Sequence, residues 1–465
     1  MPDVTHSASG GGATAGQLAR GPLNAIDAAI VALREKRRLA LQGSLHEYSQ
    51  LPAIHPQRRA QQFHKWMAAR VEMGLYPYGG CLLDAPRPVS TLRALDGTQT
   101  CGLNFASRDS LSLATHPRVL EAATQALHRF GVHSAGSSAQ AGNNCLGAEL
   151  ESELGMLLHK PHAVLFPSGW AAGFGVIKGL IRRRDHVVLD QRAHNCLREG
   201  AVASTRNVHL HRHLDLAHLR RVLERVRARD TANSVMVVAE CVHAADSEIA
   251  DLPALQALAS AFDAILLVDV AHDLGCTGPG GAGQIGLQGL LGKVDLIVGS
   301  LSKTFASNGG FVATDSLAIK EYLRQYASPN AFSSALSPVQ LAVALECLRI
   351  VRSEEGEQRR NALMRAITAL RGAAAEYGLP VPGQPSPVVP IVLGPDGLAR
   401  LACREMTRLG LMAGLAEFPA APRNAARLRM LAMADHTVEQ CTAAVEIVAH
   451  ALSHARIVKA HLPVM

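Results

Sequence analysis

Six short apolar runs, separated by longer stretches with helical spacing, constrain this chain most: HAVLF (162–166), HVVLD (186–190), VHLHR (208–212), SVMVVAE (234–240), AILLVDV (264–270) and VDLIVGS (294–300). The later runs are nearly unbroken Val, Leu and Ile, which predicts strands covered on both faces. Their alternation with helices predicts an α/β fold, a mostly parallel central sheet flanked by helices. A chain of 465 residues exceeds what one core usually organises. The expected division is a flexible tail over 1–21, a helical arm and small-domain segment over 22–103, a large domain over 104–345 and a small α+β domain over 346–465. Within the arm, Pro22 to Arg70 reads as amphipathic helix, with IDAAIVALREKRRLAL placing apolar residues at helical spacing.

Composition removes several function classes. The formal charge of +7 is spread along the chain without interleaved stacking aromatics, which speaks against nucleic acid as a partner and is compatible with anionic substrates. Nine cysteines without CxxC spacing predict neither a metal site nor a disulfide framework, and fit a reducing cytoplasm. The first twenty residues lack the basic start and apolar centre of a signal peptide, and no apolar run is long enough to span a membrane.

In open α/β sheets functional groups collect at the carboxyl ends of strands. AILLVDV delivers Asp269 and then His272 into the glycine-rich loop GCTGPGGAGQIG. A carboxylate there needs a cationic partner, and a protonated pyridine nitrogen would be one. VDLIVGS ends in Ser300-Leu301-Ser302-Lys303, where an amine next to a buried strand can be desolvated and held for imine formation. HAVLF runs into Pro167-Ser168-Gly169-Trp170 and an Ala/Gly-rich helix, whose free amides suit a phosphate. HVVLD ends near Asp190 and His194, an imidazole placed to stack on a planar cofactor or move protons. Gly281-x-Gly283-x-x-Gly286 matches the dinucleotide fingerprint, but it joins no strand directly to a helix and no acidic strand end follows about twenty residues later. The match is read as accidental.

The order of these elements resembles the α-oxoamine synthases, fold-type I pyridoxal-phosphate enzymes that include serine palmitoyltransferase, aminolevulinate synthase, aminooxononanoate synthase and aminoketobutyrate ligase. From about Tyr76 to His450, NFASRDSLSLATHP, FPSGWAAGFG, DQRAHNC, ECVHAADSEIADL, VDVAHDLGCTGPGG, GSLSKTFASNGGFVA, NAFSSALSP and RLRMLAMADHT follow in the family's order. The resemblance implies pyridoxal 5'-phosphate as cofactor, with Lys303 the Schiff-base lysine, Asp269 the partner of the pyridine nitrogen, His272 a contact to the ring hydroxyl and His194 stacked on the ring. Ser168, Gly169, Trp170 and Ser300 would hold the phosphate, and Ser333 or Ser334 would reach it from the neighbouring subunit of a homodimer. Arg429 aligns with the arginine that takes the amino-acid carboxylate.

The implied reaction joins an amino acid to an acyl thioester of coenzyme A or an acyl carrier protein, with loss of carbon dioxide, to give an α-aminoketone. An aminotransferase-type reaction on the same fold and a catalytically silent partner subunit are the alternatives. The departures from the family pattern lie around the cofactor's rim and the substrate: Val270 replaces a usual Glu, Ala244 a usual Ser and Gly173 a usual Asn. Asn143 stands in place of Thr, and Arg108 stands where the family supplies Asn or a similar small polar residue. Arg108 is therefore a candidate for a second carboxylate on the substrate or a phosphate of its carrier, the alternative being a pairing with its neighbour Asp109 that serves neither.

Overall fold

A computed structural model describes residues 21–52 and 55–461. The expected tail lies outside this range except for Gly21, which opens a helix. Residues 21–76 belong to one compact unit and residues 77–461 form another. In the first, the expected amphipathic helix from Pro22 to Arg70 is three: Gly21–Leu41, Leu45–Ser49 and Pro56–Glu72. Gly43 at φ +77° turns the chain left-handed after the first. Ser44 then caps the second by accepting from the Glu47 amide. Pro56, at the start of the third, marks a fresh helix because proline suits the first turn and not the interior.

The second unit contains two sheets. In chain order the strands are β1 Cys81–Leu82, β2 Val89–Arg93, β3 Gln99–Phe105, β4 His162–Phe166, β5 His186–Asp190, β6 Asn207–His211, β7 Val235–Glu240, β8 Ile265–Asp269, β9 Leu296–Ser300, β10 Gly310–Thr314, β11 Val388–Gly394, β12 Leu411–Ala416 and β13 Ala426–Leu431. The seven-stranded sheet has the order β4-β10-β9-β8-β7-β5-β6. Its strands run parallel except β10, which pairs antiparallel with β4 and β9. All six apolar runs form strands, so the mostly parallel sheet is as expected. The antiparallel β10 is an addition to it. Every residue of β5, β7, β9 and β10 is buried, as helices on both faces require. The six-stranded sheet, β1-β2-β3-β12-β13-β11, joins segments from both sides of the larger one in sequence. Position 104 lies within β3 and position 345 within the helix Pro338–Arg352, so neither coincides with a break between elements.

Close backbone approach explains two glycines beside the larger sheet. A Cβ on Gly173 would lie 2.5 Å from the Cys196 sulfur, so the helices Gly169–Leu180 and Asn195–Ser204 pack only because none is there. Gly283, at φ +64°, likewise leaves room for the Asp273 carboxylate, which a Cβ would meet at 2.5 Å. The 281-283-286 glycines thus shape a loop and the short helix Gly283–Leu287, not a strand-to-helix turn for a dinucleotide.

Candidate active site

The carboxyl ends of β4, β5, β7, β8 and β9 deliver the polar residues. After β4, Ser168 caps the helix Gly169–Leu180: its Oγ accepts from the Ala171 amide at 3.0 Å and its carbonyl from the Ala172 amide at 3.0 Å. The Gly169 and Trp170 amides keep no partner among the described residues, so a helix N-terminus offers them to an anion. Gly169 is pressed against β9, where a Cβ would lie 2.5 Å from the Ser300 Cβ and 2.6 Å from its Oγ. The Ser300 hydroxyl meets the Ser302 hydroxyl at 2.8 Å. Trp170 stays 44% exposed and stacks on Phe174 with centroids 5.3 Å apart.

After β5, His194 caps the helix Asn195–Ser204, its Nδ1 accepting from the Cys196 amide at 3.4 Å. Its backbone amide donates to Glu240 Oε1 at 2.7 Å. Glu240 ends β7 and sits in register with Asp269 at the end of β8. Burial, and then the charge of Asp269, raise the Glu240 carboxyl. Sequence reasoning missed this residue, although the signal was the one that found Asp269: an acid at the end of a fully apolar strand.

Asp269 accepts from the Ala271 amide at 2.8 Å through one oxygen. Burial raises its pKa and Lys303 opposes the shift. Lys303 responds in kind, pushed down by burial and held up by Asp269. The two groups are electrostatic partners from adjacent strands, and burial drives both toward their neutral forms. His272 is held well below the usual imidazole range by burial and then by Lys303 and Arg429, so its ring is neutral at physiological pH.

Lys303 opens into a cavity lined by Arg108, Ser110, His272, Val388 and Arg429. Arg429 arrives on β13 of the six-stranded sheet, in register with Gly414 and Pro390. Ser333 and Ser334 are not part of this cavity; Ser334 lines a separate pocket with Phe166, Pro167 and Asn330. The structure therefore brings Lys303, His272, Arg429 and Arg108 together, sets Asp269 and His194 within electrostatic reach of them, and leaves both serines elsewhere on the same chain.

One further cluster forms without any sequence spacing to announce it. Asp190, His213 and His243 hold potential ligand atoms within 4.8 Å of one another. His213 is engaged at both nitrogens, by Asp190 at 2.9 Å and Glu248 at 2.8 Å. Burial lowers its pKa, but those carboxylates outweigh burial and raise it. An imidazole held at both ring nitrogens by two acids accounts for the cluster.

Comparison with known proteins identifies the family and the fold. The family model of aminotransferase class I and II matches residues 101–448. The chain is 36% identical over 334 residues to 8-amino-7-oxononanoate synthase of Saccharophagus degradans, covering 72% of this chain and 82% of that protein. It is 32% identical over 388 residues to serine palmitoyltransferase of Sphingobacterium spiritivorum, covering 83% of this chain and 94% of that protein. A solved serine palmitoyltransferase carrying PLP superposes with a TM-score of 0.81 at 25% identity, over 87% of this chain and 100% of that one. The chain belongs to the aminotransferase class I and II family, has the fold-type I architecture, and within that family is an α-oxoamine synthase.

Proposed function

We propose that this protein is a pyridoxal-phosphate-dependent acyltransferase that condenses an amino acid with an acyl thioester, releasing carbon dioxide and a thiol, to give an α-aminoketone. One observation carries the reading. Lys303 and Asp269, from adjacent strand ends, are electrostatic partners, and Lys303 lines a cavity together with Arg429, two of whose buried nitrogens have no acceptor among the described residues.

The residues fit the cofactor. The Gly169 and Trp170 amides beside Ser300 make a cradle that a Cβ at Gly169 would fill, of the kind a phosphate takes. Asp269 has an oxygen left for a protonated ring nitrogen, a partner that restores the charge burial disfavours. Gly169→Ala is accordingly expected to raise the Kd for pyridoxal phosphate about tenfold, the effect of overpacking a tight contact, in an absorbance titration of the apoprotein.

Pyridoxal phosphate, when bound, supplies an aldehyde and an electron-accepting ring. Lys303, whose pKa burial lowers, would be both the amine for that aldehyde and the base for the substrate's α-proton. Arg429 would clasp the α-carboxylate in bidentate fashion and so set the Cα–H direction. His194, exposed and within electrostatic reach of Asp269 and Lys303, would lie on the ring face while its amide stays tied to Glu240. Neutral His272 would donate a hydrogen bond to the ring hydroxyl. Ser168 acts one step back, fixing the helix start that presents the two amides.

The same reading makes the protein a cytoplasmic homodimer whose Ser333 or Ser334 completes the phosphate site of the other subunit. Two facts support it: these serines lie outside the Lys303 cavity of their own chain, and neighbouring Phe332 is 89% exposed. No described helix is long and apolar enough to cross a membrane.

Product analysis tests the reaction. Incubation with isotopically labelled amino acids and acyl thioesters is expected to release thiol and carbon dioxide in equal amounts. A 2-oxo acid formed without carbon dioxide would instead assign aminotransferase chemistry.

A further inference from the structure

Arg108 follows β3 and Arg429 lies on β13, yet both residues line the cavity of Lys303 and His272. Among the described residues neither has an acidic partner. Nε and Nη2 of Arg429 are buried without an acceptor among the described residues. Asp109, the nearest acid in sequence to Arg108, directs its two oxygens to the amides of Leu113 and Ala114 at 2.9 Å each. The two cations also feel one another: Arg429 is pushed down to about 10, by burial first and then by Arg108.

One substrate carboxylate answers one guanidinium. The other, Arg108, reaches solvent at the rim of the cavity and has no acid beside it among the described residues, so its charge is free to meet a second anion. Arginine is suited to that anion, since its planar fork pairs with both oxygens of a carboxylate and does not lose its charge. Arg108 also borders a more open pocket lined by Pro86, Ser302, Asn308 and Gln340, so it stands where the enclosed cavity meets the outer cleft. The enclosed side is shared with Lys303 and Arg429, between which an amino acid's Cα must be held. A short side chain leaving that Cα remains within the space that both arginines line.

We propose that the amino-acid substrate carries a second oxyanion, a carboxylate or sulfonate class group on its side chain, and that Arg108 is the residue that selects for it. This rests on the reading that Lys303 holds the cofactor and Arg429 the α-carboxylate.

The test uses the yellow holoenzyme, titrated without thioester with L-alanine, L-serine, L-aspartate, L-glutamate and L-cysteate while the visible spectrum is followed. The preferred acidic amino acid is expected to bind about 10- to 100-fold more tightly than alanine, the range a charge-assisted hydrogen bond corresponds to. In Arg108→Asn that ratio is expected to collapse toward one, and Arg108→Lys to keep part of it. Two results overturn the proposal: no acidic preference in the unmodified protein, or an equal weakening of every amino acid in Arg108→Asn, which would mean that both guanidiniums share the α-carboxylate. In each of these the chromophore on Lys303 survives and the cofactor reading stands. A protein that acquires no borohydride-reducible chromophore at Lys303 overturns that reading and the proposal with it.

Discussion

Lys303→Ala is expected to abolish covalent attachment of the cofactor and to lower turnover by at least about 10⁴-fold, the upper range for removing a positioned acid–base group, here compounded by loss of the nucleophile. The variant should fold. Among the described residues the Lys303 amine makes no hydrogen bond or ion pair, and its removal relieves a desolvated charge. Borohydride treatment followed by peptide mass mapping reads the attachment, and thiol release reads turnover. A reduced pyridoxyl label on any other lysine, or thiol release within tenfold of the unmodified protein, would sink the assignment. Lys303→Arg sharpens the result, because it keeps a cation opposite Asp269 while removing the deprotonatable amine.

The strands that carry the site were legible because they are buried on both faces, which leaves an apolar run that ends at a single polar residue. Asp269 and Lys303 stand out for that reason, and His194 by its position after β5. β10 carries no such mark: GFVAT opens with glycine, ends without a charged residue and is fully buried because it inserts between β4 and β9. The six-stranded sheet was harder still, since β3 finds its parallel neighbour β12 across most of the chain, a pairing that no local pattern encodes. The same distance hides the meeting of Arg108 with Arg429. Arg429 could be proposed only from resemblance to a family, and the possible pairing of Arg108 with its neighbour Asp109 was decided by backbone geometry: the turn after Asp109 aims the Leu113 and Ala114 amides at both carboxylate oxygens. Ser168 shows the converse. Its place in the phosphate turn was readable, but its hydroxyl serves the helix start, a division of labour that only the angles of the cap reveal.

Asp269→Asn is expected to leave the attachment at Lys303 intact and still lower turnover by about 10³-fold, the cost of removing one preorganised charge from a water-poor site. Asparagine keeps the size of the side chain and an oxygen for the Ala271 amide, which Asp269 engages at 2.8 Å. What it loses is the negative charge that holds a proton on the ring nitrogen. In the free site burial raises the Asp269 pKa and Lys303 pulls against that shift. A cationic ring nitrogen beside the carboxylate adds a second opposing charge, so carboxylate and protonated ring stabilise one another and the amide stabilises neither. Removal of the α-proton, the step that places a negative charge on carbon, should therefore slow more than attachment does. Exchange of the amino acid's α-hydrogen for solvent deuterium, followed by NMR without thioester, isolates that step. Exchange in Asp269→Asn at more than a tenth of the unmodified rate would show that the carboxylate is structural and that the electron-accepting power of the site comes from elsewhere.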